Sequence, residues 1–219
     1  GATEAIQTAV LSALCAIREQ RARGAFAGKL LVVGATEHKA VPESLAHWNR
    51  LLGLNLEMRV LPVDAAGQHD LDALRGMVAD AAMVCTMAAN NETGCRSDLA
   101  AIGEILRQRA RSRSGDAARE RVGGGQEDGQ RSGTENMAGI AALGAVLEAL
   151  EDGHTFRSQR DLVRLRDLLV ASLQEALPGL VLNAPLDKTL PTTLNFSVPG
   201  FASKELLDLF DAAGIRVSS

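Results

Sequence analysis

The sequence has 219 residues, of which 46% are hydrophobic and 23% charged, and it carries a net charge of -4. That is enough apolar material for one large or two modest globular domains, and the acidic balance excludes a global electrostatic pull toward nucleic acid. No apolar run approaches the roughly 18 residues of a membrane span, and 3% aromatics without tyrosine leave little for base stacking.

In chain order, residues 5–22 carry apolar positions at helical spacing, and "GKLLVVG" at 28–34 is a continuous apolar run between glycines, a buried strand. "VPESLAHWNRLLG" has proline in its first turn and glycine at its end, as a helix does, and "LEMRVLPV" follows as a strand. "DLDALRGMVAD" predicts a helix, "AAMVCTMA" a strand and residues 97–113 a further helix. Strands alternating with helices of this length imply a mostly parallel α/β sheet, whose ligands gather at the carboxyl ends of the strands, here "GATEHKAV" at 34–41 and "AANNETG" at 88–94. After Arg113 the alternation stops. Helices are predicted over 134–153 and 155–177, then strand, strand, helix and strand in "GLVLNA", "TTLNFSV", "SKELLDLFDAAG" and "IRVSS", a small α+β unit. The expected division is a large domain over 1–153 and a partial small one over 154–219.

Between the two blocks lies "GGGQEDGQRSGTEN", Gly123 to Asn136. Three consecutive glycines make sense where the chain bends sharply or approaches another molecule closely, and Arg131, Ser132 and Thr134 before an apolar helix offer a cation, two hydroxyls and free amides that suit a phosphate. It is not a P-loop, because Gln130 and Arg131 stand where lysine and a hydroxyl residue are required. Neither a Gly-x-Ser-x-Gly elbow nor H-E-x-x-H occurs, which disfavours hydrolase and zinc-protease chemistry. Cys15, Cys85 and Cys95 lack C-x-x-C spacing, so neither a disulfide scaffold nor a metal site is expected, and a reducing compartment suits them. Arg107, Arg109, Arg111 and Arg113 read as a solvated helix end. His38, just past a strand, is either a capping residue or a ligand contact; Asn90 and Asn91 are either turn formers or ligand contacts; Thr3 in "GATE" is either a helix N-cap or part of a phosphate site.

Taken together, "GATEA" opening a helix, "EHKAV" and "MAANNETG" after strands, "GGGQEDGQRSGTEN" before a helix, and "LPTTLNFSV" with a terminal "IRVSS" resemble the cysteine desulfurases and their relatives the selenocysteine lyases, class V aminotransferase-like enzymes that use pyridoxal 5'-phosphate. The resemblance implies a truncated type I pyridoxal-phosphate transferase fold and conversion of L-cysteine to L-alanine, with the sulfur passed as a persulfide to an acceptor protein, as in iron–sulfur cluster assembly. It implies a homodimer acting on a small amino acid, with neither nucleic acid nor membrane as partner. By the same resemblance Ala2 and Thr3 contact the cofactor phosphate, Thr134 completes that site from the neighbouring subunit, His38 stacks on the pyridine ring as acid/base, and Asn91 bonds the phenolic oxygen. Asp116 matches the aspartate that pairs with the pyridine nitrogen, although Arg119 stands where the family has glutamine.

The family's cofactor-bearing lysine has no counterpart in Lys29, Lys39, Lys188 or Lys204. Only "SGDAARERV" stands near 113–122 where the family carries several dozen residues including that lysine, and the segment with the nucleophilic cysteine would follow "VSS". The expectation is therefore an incomplete copy, inactive by itself, with a non-catalytic paralogue that serves as a dimer partner or binds phosphate ligands as the alternative.

Overall fold

The computed structural model describes residues 1–24, 28–111 and 137–218. Element order is α1 (Ala2–Ala22), β1 (Leu30–Gly34), α2 (Ala40–Leu51), β2 (Glu57–Leu61), α3 (Leu71–Val78), β3 (Ala81–Cys85) and α4 (Leu99–Arg111), followed by α5 (Met137–Asp152), α6 (Gln159–Ala176), β4 (Val181–Leu182), a short 3-10 turn (Leu186–Lys188), β5 (Phe196–Ser197) and α7 (Ser203–Ala212).

The first three strands form a parallel sheet in the order β2-β1-β3, with Leu30 to Gly34 of β1 in register with Glu57 to Leu61 of β2. Because side chains alternate across a strand, β1 serves two cores at once. Leu31 and Val33 pack against Val10, Leu14 and Ile17 of α1 and Leu45 of α2. Leu30 and Val32 turn the other way, onto Leu74 of α3 and Ile102 and Ile105 of α4. Helices on both faces of a parallel sheet explain why "LLVVG" is apolar throughout and buried at all five positions.

The later residues make a two-stranded antiparallel pair, Val181 opposite Ser197 and Leu182 opposite Phe196, with α6 and α7 around it. They are joined to the first sheet by backbone pairing with the loop after β3. Arg96 donates to the Lys188 carbonyl at 2.8 Å, and Leu190 to that of Gly94 at 2.8 Å. The strand expected at "IRVSS" does not form over residues 215–218. Gly214 turns the chain at φ +77°, and the Ile215 amide is taken by the Phe210 carbonyl at 2.8 Å, closing α7 instead of starting a ladder.

Among the described residues no helix is long and apolar enough to cross a membrane. Of the basic run, Arg107 pairs with Glu104 at 3.1 Å and Arg109 donates to the Val78 and Ala79 carbonyls, while Arg113 lies outside the described residues.

Candidate functional site

Both strand-end loops expected to carry ligand contacts lie at the carboxyl edge of the sheet, and the start of α1 shares a cleft with the first of them. Helix α1 begins at Ala2 with Gly1 as its N-cap, so Thr3 is a first-turn residue rather than the cap. The first helical hydrogen bond runs from the Ala5 amide to the Gly1 carbonyl at 3.1 Å, which leaves the preceding amides directed out of the helix end. Thr3 and His38 line one cleft of about 350 Å³, with Lys39, Gln7, Glu43 and Ser44 along its length. That volume is within the roughly 300–1,000 Å³ usual for small-molecule sites.

His38 is solvent-exposed, and its Nδ1 accepts the Ala40 amide at 3.2 Å at the start of α2. The two readings of this histidine are therefore compatible: one nitrogen caps the helix while the ring face and Nε2 remain outward. With Nδ1 accepting, the neutral ring carries its proton on Nε2.

The two asparagines divide the alternatives between them. Asn90 is a turn former: its Oδ1 accepts the Glu92 and Thr93 amides at 2.9 and 2.8 Å, and its Nδ2 donates across to the Thr36 carbonyl at 3.1 Å, tying the β3 loop to the β1 loop. Asn91 is exposed and its side chain has no partner among the described residues, which leaves its amide available. Asp116 and Thr134 lie outside the described residues.

Of the lysines, Lys39 lines the cleft, Lys29 precedes β1 at the opposite edge of the sheet, Lys188 ends the 3-10 turn, and Lys204 pairs with Asp208 at 3.0 Å. No disulfide involves Cys15, Cys85 or Cys95. Burial, with the Glu37 carboxylate adding to it, pushes the Cys85 thiol up to about 11, opposite to what a nucleophilic cysteine needs. Among the described residues no group of three or more metal-ligating side chains converges.

Two residues that sequence reasoning passed over lie on the loops at the carboxyl edge of the sheet. Glu37 turns inward and accepts the Met87 amide, and burial raises its carboxyl above the ordinary 4.5 despite that bond. His69, from the loop between β2 and α3, is 8% exposed; burial lowers its imidazole, and its Nε2 has no protein hydrogen-bond partner. Both converge on Gly34, where a Cβ would stand 2.7 Å from His69 Nε2 and 3.1 Å from Glu37 Oε1. A glycine closing an otherwise apolar strand was the available signal of such a close approach.

The sequence profile of the aminotransferase class-V family matches residues 1–124 and 119–219. The chain belongs to that family. It is 29% identical over 236 residues to cysteine desulfurase IscS of Methanosarcina thermophila, covering 88% of this chain and 57% of that protein, and 30% identical over 265 residues to a cysteine desulfurase of Cereibacter sphaeroides, covering 100% and 64%. The solved structure of a NifS-like protein superposes with a TM-score of 0.78 at 23% identity, covering 98% of this chain and 69% of the other, which shows the shared fold. The chain spans about three fifths of the length of the curated relatives it matches. The second alignment runs over 265 residues against 219 here, so several dozen residues of that relative have no counterpart in this chain. Pyridoxal phosphate is the cofactor of the family.

Proposed function

We propose that this chain is the cofactor-binding part of a cysteine desulfurase, with the division at residue 153 into large and small domains that the resemblance implies. The observation that carries the reading is the convergence of Thr3 and His38 on one cleft. The residues present suit the cofactor's parts: first-turn amides of α1 and the Thr3 hydroxyl for a dianionic phosphate, the flat imidazole of His38 for a flat ring, and the Asn91 amide for a phenolic oxygen. Asp116 and Thr134, outside the described residues, complete the proposed set.

When bound, pyridoxal phosphate supplies an electron sink for bonds of an amino-acid substrate. Ala2 and Thr3 hold the phosphate at the positive end of α1. His38 orients the ring by its face and holds a proton at Nε2, while Nδ1 stays fixed to the α2 start. Asn91 donates from the opposite loop.

The covalent lysine link is what the described site does not offer. None of the four lysines has the family's sequence context, and the profile match breaks and resumes at 119–124, where the resemblance places the missing segment. These 219 residues alone therefore bind pyridoxal phosphate weakly and reversibly, release it to inorganic phosphate and produce no sulfide from cysteine. The chain pairs with a second copy, supported by α5, whose Met137, Leu143 and Leu147 are exposed although they follow the loop that the resemblance places at a dimer interface.

Calorimetric titration of the parent chain, Thr3→Ala and Asn91→Ala with pyridoxal phosphate tests the site. Each lost charge-assisted hydrogen bond weakens binding by about 1.5–3 kcal/mol, tenfold or more. Equal affinity in both variants removes the assignment, and sulfide release by the parent chain removes the claim of an incomplete centre. Borohydride reduction is expected to fix the cofactor on no lysine; stoichiometric labelling, above all of Lys39 in the cleft, is the contrary result.

A further inference from the structure

The three-stranded sheet has two edges, and they are built differently. Along β2 stand Glu57 and Arg59, both solvent-exposed and paired with each other at 2.7 Å. Charged side chains on an edge strand discourage a further strand from adding to it. The other edge, β3, reads Ala81-Ala82-Met83-Val84-Cys85, without charge or proline, and every position is half-buried. It pairs with β1 on one side. On the other, the amides and carbonyls of 81–85 that point away from β1 have no partner among the described residues.

The course of the chain says what belongs there. Helix α2, between β1 and β2, packs on one face of the sheet, and α3, between β2 and β3, on the other. Right-handed crossovers on opposite faces carry the chain to one side of β1 and then back past it, which gives the order β2-β1-β3. Helix α4 lies on the same face as α3, with Ile102 and Ile105 beside Leu74. A right-handed crossover through α4 therefore continues in the direction taken from β2 to β3, off the outer edge of β3. The end of α4 also lies where such a strand would start: Arg109 donates to the Val78 carbonyl at 3.3 Å and to that of Ala79, so the helix finishes beside the amino end of β3. Yet the sequence at 112–136 offers no apolar run, its hydrophobic residues being Ala117, Ala118 and Val122 among glycines and charges. The break in the profile match at 119–124 falls at this same point of the chain, and the Cereibacter sphaeroides relative is longer than this chain over the aligned span.

We propose that the outer edge of β3 is a docking site for a strand supplied by a separate polypeptide, parallel to β3 and matched to its five residues. Ala82, Met83 and Cys85 adjoin the core under α1 and α2, and Ala81 and Val84 the core under α3 and α4, so the added strand continues both cores and is uncharged and β-branched on both faces. Its main-chain hydrogen bonds supply affinity and its alternating side chains specificity. A second copy of this chain would meet the edge across a two-fold axis and pair antiparallel, against the direction that α4 sets. The docking site stands without the cofactor site.

Short overlapping peptides tiling the internal segment of the Cereibacter sphaeroides relative that has no counterpart here are the probes, and hydrogen exchange of the full chain without pyridoxal phosphate is the readout. One peptide is expected to slow alternate amides within 81–85 by at least about tenfold while 57–61 stay unchanged. N-methylating that peptide at every second residue gives two frames: the one whose methyl groups face β3 stops binding, and the other still binds. Absence of protection at 81–85 with every peptide, equal protection of 57–61, or equal binding of the two frames overturns the docking strand. Protection of 81–85 in the chain alone that rises with its concentration gives the edge to a second copy and overturns the separate partner. Since pyridoxal phosphate is left out, none of these results bears on the function proposed above, and failure of that function leaves them standing.

Discussion

Residues 137–218 hold a larger share of helix than residues 28–111, yet only residues 28–111 bury what they own. There, β1 is sealed on both faces, and Leu31, Leu45, Leu61 and Leu74 are completely enclosed. In the second stretch α5 and α7 bury no residue at all, and Val170 and Ala184 are its buried hydrophobics. The lesson is that helix formation and helix burial are separate achievements. Helix α5 is apolar enough to be a core element, but the described residues give it no surface to lie against, so its stability here is local. What holds the second region is polar: the pairing of 94–96 with 188–190, and Arg166, whose guanidinium reaches the Leu186 carbonyl at 2.7 Å.

That contrast can be broken by mutation. The largest effect is expected at Leu31→Ala, which empties a fully buried site and costs about 2–5 kcal/mol, whereas Leu143→Ala on α5 changes the stability of the monomer by less than about 0.5 kcal/mol. Chemical denaturation below the dimer concentration compares them, and equal losses would mean that α5 is packed after all. Next comes Gly94→Ala at the seam. Gly94 has φ +73°, and a Cβ would stand 2.7 Å from that of Thr193, so the substitution is expected to cost at least about 1–2 kcal/mol and to loosen 137–218 before 28–111 in hydrogen exchange. A smaller loss, about 1 kcal/mol in thermal melts, is expected when either cap is removed: Asp70→Ala, whose carboxylate accepts the Asp72 and Ala73 amides at 2.9 Å, or Ser158→Ala at the start of α6.

The smallest effects are in the pH profile, and they have opposite signs. Glu37 keeps its proton to higher pH when folded than the ordinary 4.5, so its contribution to stability is fully present below 4.5 and is lost as pH rises through the folded value. His69 is lowered from 6.5; its contribution is fully present above 6.5 and is lost as pH falls through the folded value. Melting temperatures between pH 4 and 7.5 should show Glu37→Gln losing the first dependence and His69→Leu the second; a Glu37→Gln profile that parallels the parent would mean the carboxyl is not buried.

Most of the first region was legible because its signals are local. Hydrophobic period and the Pro42 and Gly53 that bracket α2 each act within a turn or two of chain, and the elements formed where they pointed. "IRVSS" misled because an apolar, β-branched string looks the same whether or not a neighbouring strand is there to receive it. Thr3 and His38, far apart in sequence, line one cleft, while Asn90 and Asn91 could be told apart only once the turn was built. Glu37 and His69 were missed for a related reason: their meaning comes from Gly34, Met87 and Ser97, and that contact is made only when three parallel strands are stacked side by side.

The seam between the regions is also a tether. Cys95 faces Thr189 across it, and the Asn195 side chain reaches the Glu92 carbonyl at 3.1 Å, one residue from Asn91. Through that bond residues 137–218 are coupled to the β3 loop at a point one residue of chain from Asn91.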